Sequence, residues 1–399
     1  MPSAVRRLCA YRLLWGASFA APVQTFFLLD RGLTFAQIML LESVMAAAIM
    51  LAEVPTGLVS DRYGRKRSLL CGAGLSLLAM VPFLAADDFA LFAASFALAG
   101  VAFTFASGSD QALIFDHLRA HGREGQMSRV FGRYGAAGVA AGALAGLLGG
   151  VLAAHRTGGE FALVYGLTIG AQVLGALVLA TVPEPPREPA RAARPAPLAG
   201  FVEGLRLLAS DGRLRYVTAL SVLTGPMTVI LTYAWQPYLQ SAHVPAALFG
   251  AAAAAGSLAS VAANLSAHRL QRALGTERAV TVTVLAPAAV WMALAMLVHP
   301  ALSVVFYAGA QGAAALRGPV FAQLTNELIP TRIRATVLSC ISLLCALYLL
   351  AVRPLLGLVV QADMALGFAA CAASILAGWG ACLLLRRTRA VRATATQLA

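Results

Sequence analysis

Gly57-Leu58-Val59-Ser60-Asp61-Arg62-Tyr63-Gly64-Arg65-Lys66-Arg67 is a short charged stretch between two long apolar ones, residues 35–59 and 68–86. One acid and four bases crowd into residues 61–67, in a chain of which only 12% is charged. A helix needs about 20 mostly apolar residues to cross a bilayer. The stretch is therefore predicted to be a tight loop between two membrane spans.

Composition extends this to the whole chain. Of 399 residues, 60% are hydrophobic, and the mean hydropathy is +0.78. The charged fraction is about half the ~25% of soluble domains. No soluble fold of this length can withdraw so much apolar surface from water. Apolar runs between charged or Pro/Gly-rich breaks predict twelve spans, at roughly 11–30, 36–59, 68–86, 89–114, 130–153, 161–182, 214–239, 246–267, 279–298, 301–326, 335–360 and 364–385. Arg6, Arg7 and Arg12 before an apolar run mimic a signal peptide, but with further spans behind it a retained first helix is expected.

The net charge of +13 raises nucleic-acid binding, and its placement argues against it. With the N-terminus on the cytoplasmic side, the bases gather in the cytoplasmic segments. Of 30 Lys and Arg, only Arg31 and Arg156 fall on the other face, and Arg317 and Arg353 inside spans. This is the positive-inside bias. It predicts a multi-pass protein of the cytoplasmic (inner) membrane with both termini in the cytoplasm, the lipid bilayer as partner and no nucleic acid. The six cysteines lie in or beside spans without a Cys-x-x-Cys pair. They read as packing residues, and no metal or cofactor is expected.

The longest interruption, 183–213, opens Pro183-Glu184-Pro185-Pro186 and turns amphipathic from Leu198 to Leu208. It predicts a cytoplasmic linker with a short surface helix. The expected domains are thus a six-helix bundle over 1–182, the linker 183–213, and a second six-helix bundle with a short tail over 214–399. The halves look related. Gly108 to Asp116 near the end of span 4 and Gly318 to Asn326 near the end of span 10 keep the same Gly-to-polar spacing before a basic loop. Arg269, Arg272, Gly275 and Arg278 after span 8 look like a degraded copy of the opening stretch. Duplication of this kind is common in secondary transporters, with the solute site near the repeat interface.

Gly57-x-x-x-Asp61-Arg62-x-Gly64-Arg65-Lys66-Arg67, between spans 2 and 3, closely resembles the signature of the major facilitator superfamily. Glu53-Val54-Pro55-Thr56-Gly57 resembles a bacterial subgroup, as does Asn326-Glu327-Leu328-Ile329-Pro330 followed by Arg334 to Ser339. The resemblance implies an all-α membrane protein of 12 transmembrane helices in two pseudo-symmetric six-helix bundles. It also implies that Asp61 contacts the N-terminus of span 11, that Arg65 bridges Asp61 to Asp116, and that Arg62 and Lys66 serve the loop or lipid headgroups, together a cytoplasmic gate. On chemistry alone, Gly57 permits close helix approach, Gly64 a turn with positive φ, and Asp61 suits a helix N-terminus. Span 4 carries no Arg, and the Gly-rich run 135–150 has no Pro. The family's antiporter motifs are therefore incomplete.

Ionisable residues within spans are costly and mark function or fixed pairs. Glu42 and Glu53 lie about three turns apart on one face of span 2. Glu42 and Arg353 are candidates for an outer gate or a structural pair. Arg317, before Gly318-Pro319 in span 10, and Asp110 in span 4 are candidates for the solute and coupling site, or again a structural pair. Glu53 is a further coupling candidate or a packing residue. Gln24, Tyr233, Trp235 and Asn264 are candidates for the solute surface, although aromatics near span ends also form interface belts.

No phosphate-binding loop or nucleophile–base set occurs, so an enzyme is not expected. The sequence reading is a monomeric secondary active transporter of a small organic solute, working by alternating access. By family habit it is a proton-coupled efflux antiporter. The alternatives are an importer of an anionic metabolite or siderophore, and a non-transporting sensor or scaffold.

Overall fold

Four interruptions of the helical pattern decide the shape of the spans, and each has a local cause. The computed structural model describes residues 3–184, 197–296, 298–329 and 334–397, with no strand among them. Helices α1 (Ser3–Gly16) and α2 (Gln24–Asp30) form span 1. Between them a single 3₁₀ turn starts at Ala21-Pro22, where proline removes an N–H. The freed amides of Phe19 and Ala20 both donate to the Thr168 hydroxyl, at 3.0 and 3.2 Å.

Span 2 is the unbroken α3 (Phe35–Tyr63), opened by a Thr34/Gln37 capping box. Gly64, at φ 105° and ψ 151°, turns it directly into α4 (Arg65–Ala85). That backbone region is nearly exclusive to glycine. Span 4 is broken at Ser107-Gly108, Gly108 having φ 73°, into α5 (Phe89–Ala106) and α6 (Ser109–Arg119). Helices α7 (Met127–Leu152) and α8 (Gly158–Ala180) complete the first six spans.

An amphipathic α9 (Pro197–Ser210) precedes span 7. Span 7 is itself α10 (Gly212–Thr224), a 3₁₀ turn from Pro226 to Ile230, and α11 (Leu231–Ser241). Then follow α12 (Phe249–Leu274), α13 (Thr276–Met296), α14 (Pro300–Leu328), α15 (Arg334–Ala362) and α16 (Met364–Gln397). Eleven helical segments of the described residues are long and apolar enough to cross a membrane. The remaining expected span, α14, has 29 residues and carries Gln311 and Arg317 in its interior. The protein is a multi-pass integral membrane protein. Three spans predicted as continuous (1, 4 and 7) are interrupted, and the last helix runs on through the expected tail.

The chain forms two compact units, Met1–Arg191 with Leu239–Ala254, and Ala192–Tyr238 with Ala255–Ala399. In the first, α1 packs on α7 and α8, and α5 on α3 and α4. One end is filled by Leu8, Tyr11, Leu69, Leu113, Leu118, Val130 and Tyr134. The other end is an aromatic cluster in which Phe27 and Phe83 stack at 5.2 Å and Tyr165 lies 4.8 Å from Phe27. In the second unit, α13 packs on α14 and α16, and α10 on α15 and α16. Phe368 is set between Tyr238 and Trp291, and α9 lays Leu208 against Val337 and Cys340 of α15.

Candidate functional site

The turn at Gly64 places Arg65 at the first position of α4, facing α6. Arg65 pairs with the Asp116 carboxylate and donates to the Ala112 carbonyl at 2.9 Å. One guanidinium thus holds the last turns of the interrupted span 4. Lys66 donates to the Ala180 carbonyl at 2.8 Å, and Arg7 to the Thr181 carbonyl at 2.5 Å. Both complement the C-terminal end of α8, where carbonyls lack helical partners. Lys66 and Arg7 therefore both cap that helix end. Arg62 lies over the ring of its neighbour Tyr63 at 5.5 Å.

A Cβ at Gly57 would meet no atom within 4 Å among the described residues. The side chain of Asp61 lies outside the described residues, as do Pro330 and the side chains of Asn326, Arg334, Ala335 and Thr336.

A second cluster lies deeper in the first unit. Asp110, in the first turn of α6 after the Gly108 break, accepts from the Gln111 amide at 2.6 Å and lies near Tyr134 of α7. Arg12 lies over the Tyr134 ring, its guanidinium carbon 5.6 Å from the ring centroid. The Arg12 Nε is buried without a hydrogen-bond partner. The stem passes Gly138, where a Cβ would come within 2.7 Å of that nitrogen. Asp110 and Arg12 thus share Tyr134 as a neighbour. Arg12, counted from the sequence among the cytoplasmic N-terminal bases, is instead inside the helical unit. The missed signal was its position within an apolar run that continues on both sides.

Near the far end of α7, glycines allow unusually close approach. A Cβ on Gly149 would collide with the Phe19 carbonyl of the interrupted span 1, and one on Gly250 with the Gly146 carbonyl. Phe26 stacks on Phe249 at 5.6 Å, and Arg156 covers Phe26 at 4.5 Å. Arg156 also donates to Gln240 at 3.3 Å. By these contacts residues 239–254 belong to the first unit.

In the second unit, Arg317 of α14 donates to the Leu220 carbonyl of α10 at 3.0 Å and lies 3.9 Å over the Phe321 ring. Arg317 and Asp110, expected as partners, have these contacts within separate units. Tyr233 and Trp235 are buried, Trp235 stacking on Tyr307 at 5.0 Å. Asn264 and Glu53 are exposed, and Gln24 and Glu42 half-buried. Arg353 is buried, one residue before Pro354 of α15. No group of three or more metal-ligating side chains occurs among the described residues.

The sequence profile of the Major Facilitator Superfamily matches residues 9–352. No curated protein matches the chain. Among solved structures, a point mutant of the nucleoside transporter NupG is similar, with a TM-score of 0.82 at 12% identity, covering 96% of this chain and 98% of that one. A bacterial homologue of the human lysosomal transporter Spinster, inward-facing and occupied, gives 0.69 at 16% identity over 96% of each chain. A POT family transporter in complex with 5-aminolevulinic acid gives 0.69 at 12% identity over 97% of each. At these identities the likeness is one of fold.

Proposed function

The chain belongs to the Major Facilitator Superfamily, and from that premise we propose that it is a proton-coupled secondary transporter. It moves a small organic solute across the cytoplasmic membrane by alternating access, with both termini in the cytoplasm. The observation that carries the coupling is Asp110, a carboxylate kept inside an interrupted span, near Tyr134, over whose ring Arg12 lies. An ionisable group within a span is expensive, and a neutral side chain would fill the place at less cost. A group whose charge must change during the cycle accounts for its retention.

Deprotonated, Asp110 is attracted to Arg12 and accepts from Tyr134, drawing α6 toward α1 and α7. Protonated, it loses that attraction, and α6 is released about the Gly108 break. The Arg65–Asp116 pair at the other end of α6, with Asp61 and the Gly64 turn, acts as the cytoplasmic latch. Glu42 and Arg353 serve the outer side. Export follows the family resemblance. Import of an anionic solute is the second reading, and Arg317 favours it.

The test is solute-driven proton movement in proteoliposomes carrying an internal pH dye. The wild-type protein acidifies or alkalinises the lumen when solute is added, whereas Asp110→Asn exchanges solute without moving protons. If Asp110→Asn moves protons as the wild type does, the coupling acid lies elsewhere and Glu53 is the next to test.

A further inference from the structure

We propose that the transported solute carries an oxyanion, a carboxylate or a phosphate, and that Arg317 receives it. The proposal rests on the transport reading above and names the class of its substrate.

The distribution of charge is the first ground. After residue 191 the chain has five acids, Glu203, Asp211, Glu277, Glu327 and Asp363. All belong to helix ends or to the surface helix α9. Asp211 caps α10 through the amides of Arg213 and Leu214, and Asp363 accepts from the Leu366 amide at the start of α16. Glu327 accepts from Gln323 in the last turns of α14, and Glu277 is in the first turn of α13. None stands in the interior of a span, where Arg317 does. The first unit differs, because there Arg12 of span 1 lies over the ring of Tyr134, and Asp110 is near the same tyrosine. The corner between the first, fourth and fifth spans of each half therefore holds an arginine, but only the first unit supplies its own carboxylate. In the second unit, neither of the contacts described for Arg317 is to a carboxylate.

The second ground is how Arg317 is held. A guanidinium has five donors in a planar fork. The contacts described for Arg317 are one bond to the Leu220 carbonyl and the face of Phe321. Leu220 lies close to the C-terminal end of α10, so the partial negative charge of that helix end offsets part of the cation. This satisfies one donor and fixes the plane, but it does not neutralise the charge. The side chain is half-buried rather than sealed. Gly225, at the break of span 7, lets the guanidinium pack close to the backbone there, since a Cβ would lie 3.2 Å from the Arg317 Nε, and this further fixes its orientation. A cation inside a span, oriented in advance and incompletely compensated, suits bidentate recognition of an oxyanion.

The experiment uses the purified full-length protein and matched probes: benzoate with benzamide, nicotinate with nicotinamide, and glycerol 3-phosphate with glycerol. Binding is read as a shift in melting midpoint, and transport as counterflow in proteoliposomes. At least one anion is expected to stabilise the wild type while its neutral partner does not, and the pair that responds separates carboxylate from phosphate. Arg317→Gln should abolish that shift. Arg317→Lys, which keeps the charge but loses the fork, should weaken apparent affinity by about tenfold, and it decides the matter if the glutamine variant does not fold. The proposal is overturned if no anion stabilises the wild type, if neutral partners bind equally, or if Arg317→Gln or Arg317→Lys binds the anion as the wild type does. Counterflow of neutral solutes alone would sink this proposal and leave the transporter standing. Absence of counterflow for every probe and for a broad solute panel would count against transport itself.

Discussion

Arg65 and Asp116 form an ion pair that ties the start of α4 to the second segment of the interrupted span 4. The side chains are 38% and 32% exposed, so their coupling is expected to be about 1 kcal/mol. Arg65→Gln and Asp116→Asn should each lower the melting midpoint, and the double variant should be little worse than the more damaging single one. If the pair is also a latch, transport falls by more than stability does. Strictly additive effects in thermal unfolding would show that the two residues act independently.

The second expectation concerns the tyrosine between Arg12 and Asp110. Tyr134→Phe keeps the ring on which Arg12 rests and removes the hydroxyl that addresses Asp110. Proton-coupled transport should drop several-fold while the melting midpoint changes little. Arg12→Gln should be more damaging to stability, because it leaves Asp110 without its nearby cation. A Tyr134→Phe protein with unaltered solute-to-proton stoichiometry and rate would remove the hydroxyl from the mechanism.

Two glycines of the opening loop should respond in opposite ways. Gly64 occupies a backbone conformation that side chains avoid, so Gly64→Ala is expected to cost about 1–3 kcal/mol. Gly57 sits inside α3 with open space around a Cβ. Gly57→Ala should leave stability unchanged or raise it by up to about 1 kcal/mol through helix propensity. Thermal unfolding of the two variants side by side checks this, and equal losses would contradict it.

A similar contrast holds along α7. Gly149→Ala drives a methyl into the Phe19 carbonyl and Gly250→Ala into the Gly146 carbonyl, both rigid backbone. Each should destabilise by about 1–3 kcal/mol. Gly146→Ala meets only Pro22 Cγ at 3.7 Å, an ordinary contact, and should be tolerated. Melting midpoints of the three variants decide between this geometry and a loosely packed interface.

The spans were legible because apolar length is a composition signal that needs no tertiary information. Their interruptions were less so. Gly225-Pro226 and Ala21-Pro22 are visible breaker pairs, but hydropathy runs straight across them. The break at Gly108 depends on one positive φ that sequence does not announce. The latch between Arg65 and Asp116 was suggested by the family resemblance. The Arg12–Tyr134–Asp110 cluster was not found, because its members are far apart in sequence and meet only through the packing of α1, α6 and α7. Tyr233 and Trp235 carry too little sequence signal for the converse reason. An aromatic at a span end looks the same in sequence whether it faces solute, lipid or its own core.

Residues 239–254 complete a unit whose other members were all synthesised earlier. At about 5–20 residues per second, the ribosome spends several seconds on residues 192–238 before that segment emerges. Throughout that interval Gly146, Gly150 and Phe26 have no cover from Phe249 and Gly250. The nascent first half is thus an unfinished body, held in the bilayer with a gap shaped for a stretch of chain yet to be made. A protein severed in the linker and produced as two fragments would assemble only where the second fragment can deliver Leu239–Ala254 to the first. Membrane insertion of this chain is a process in which the end of the first folding event waits on the middle of the second.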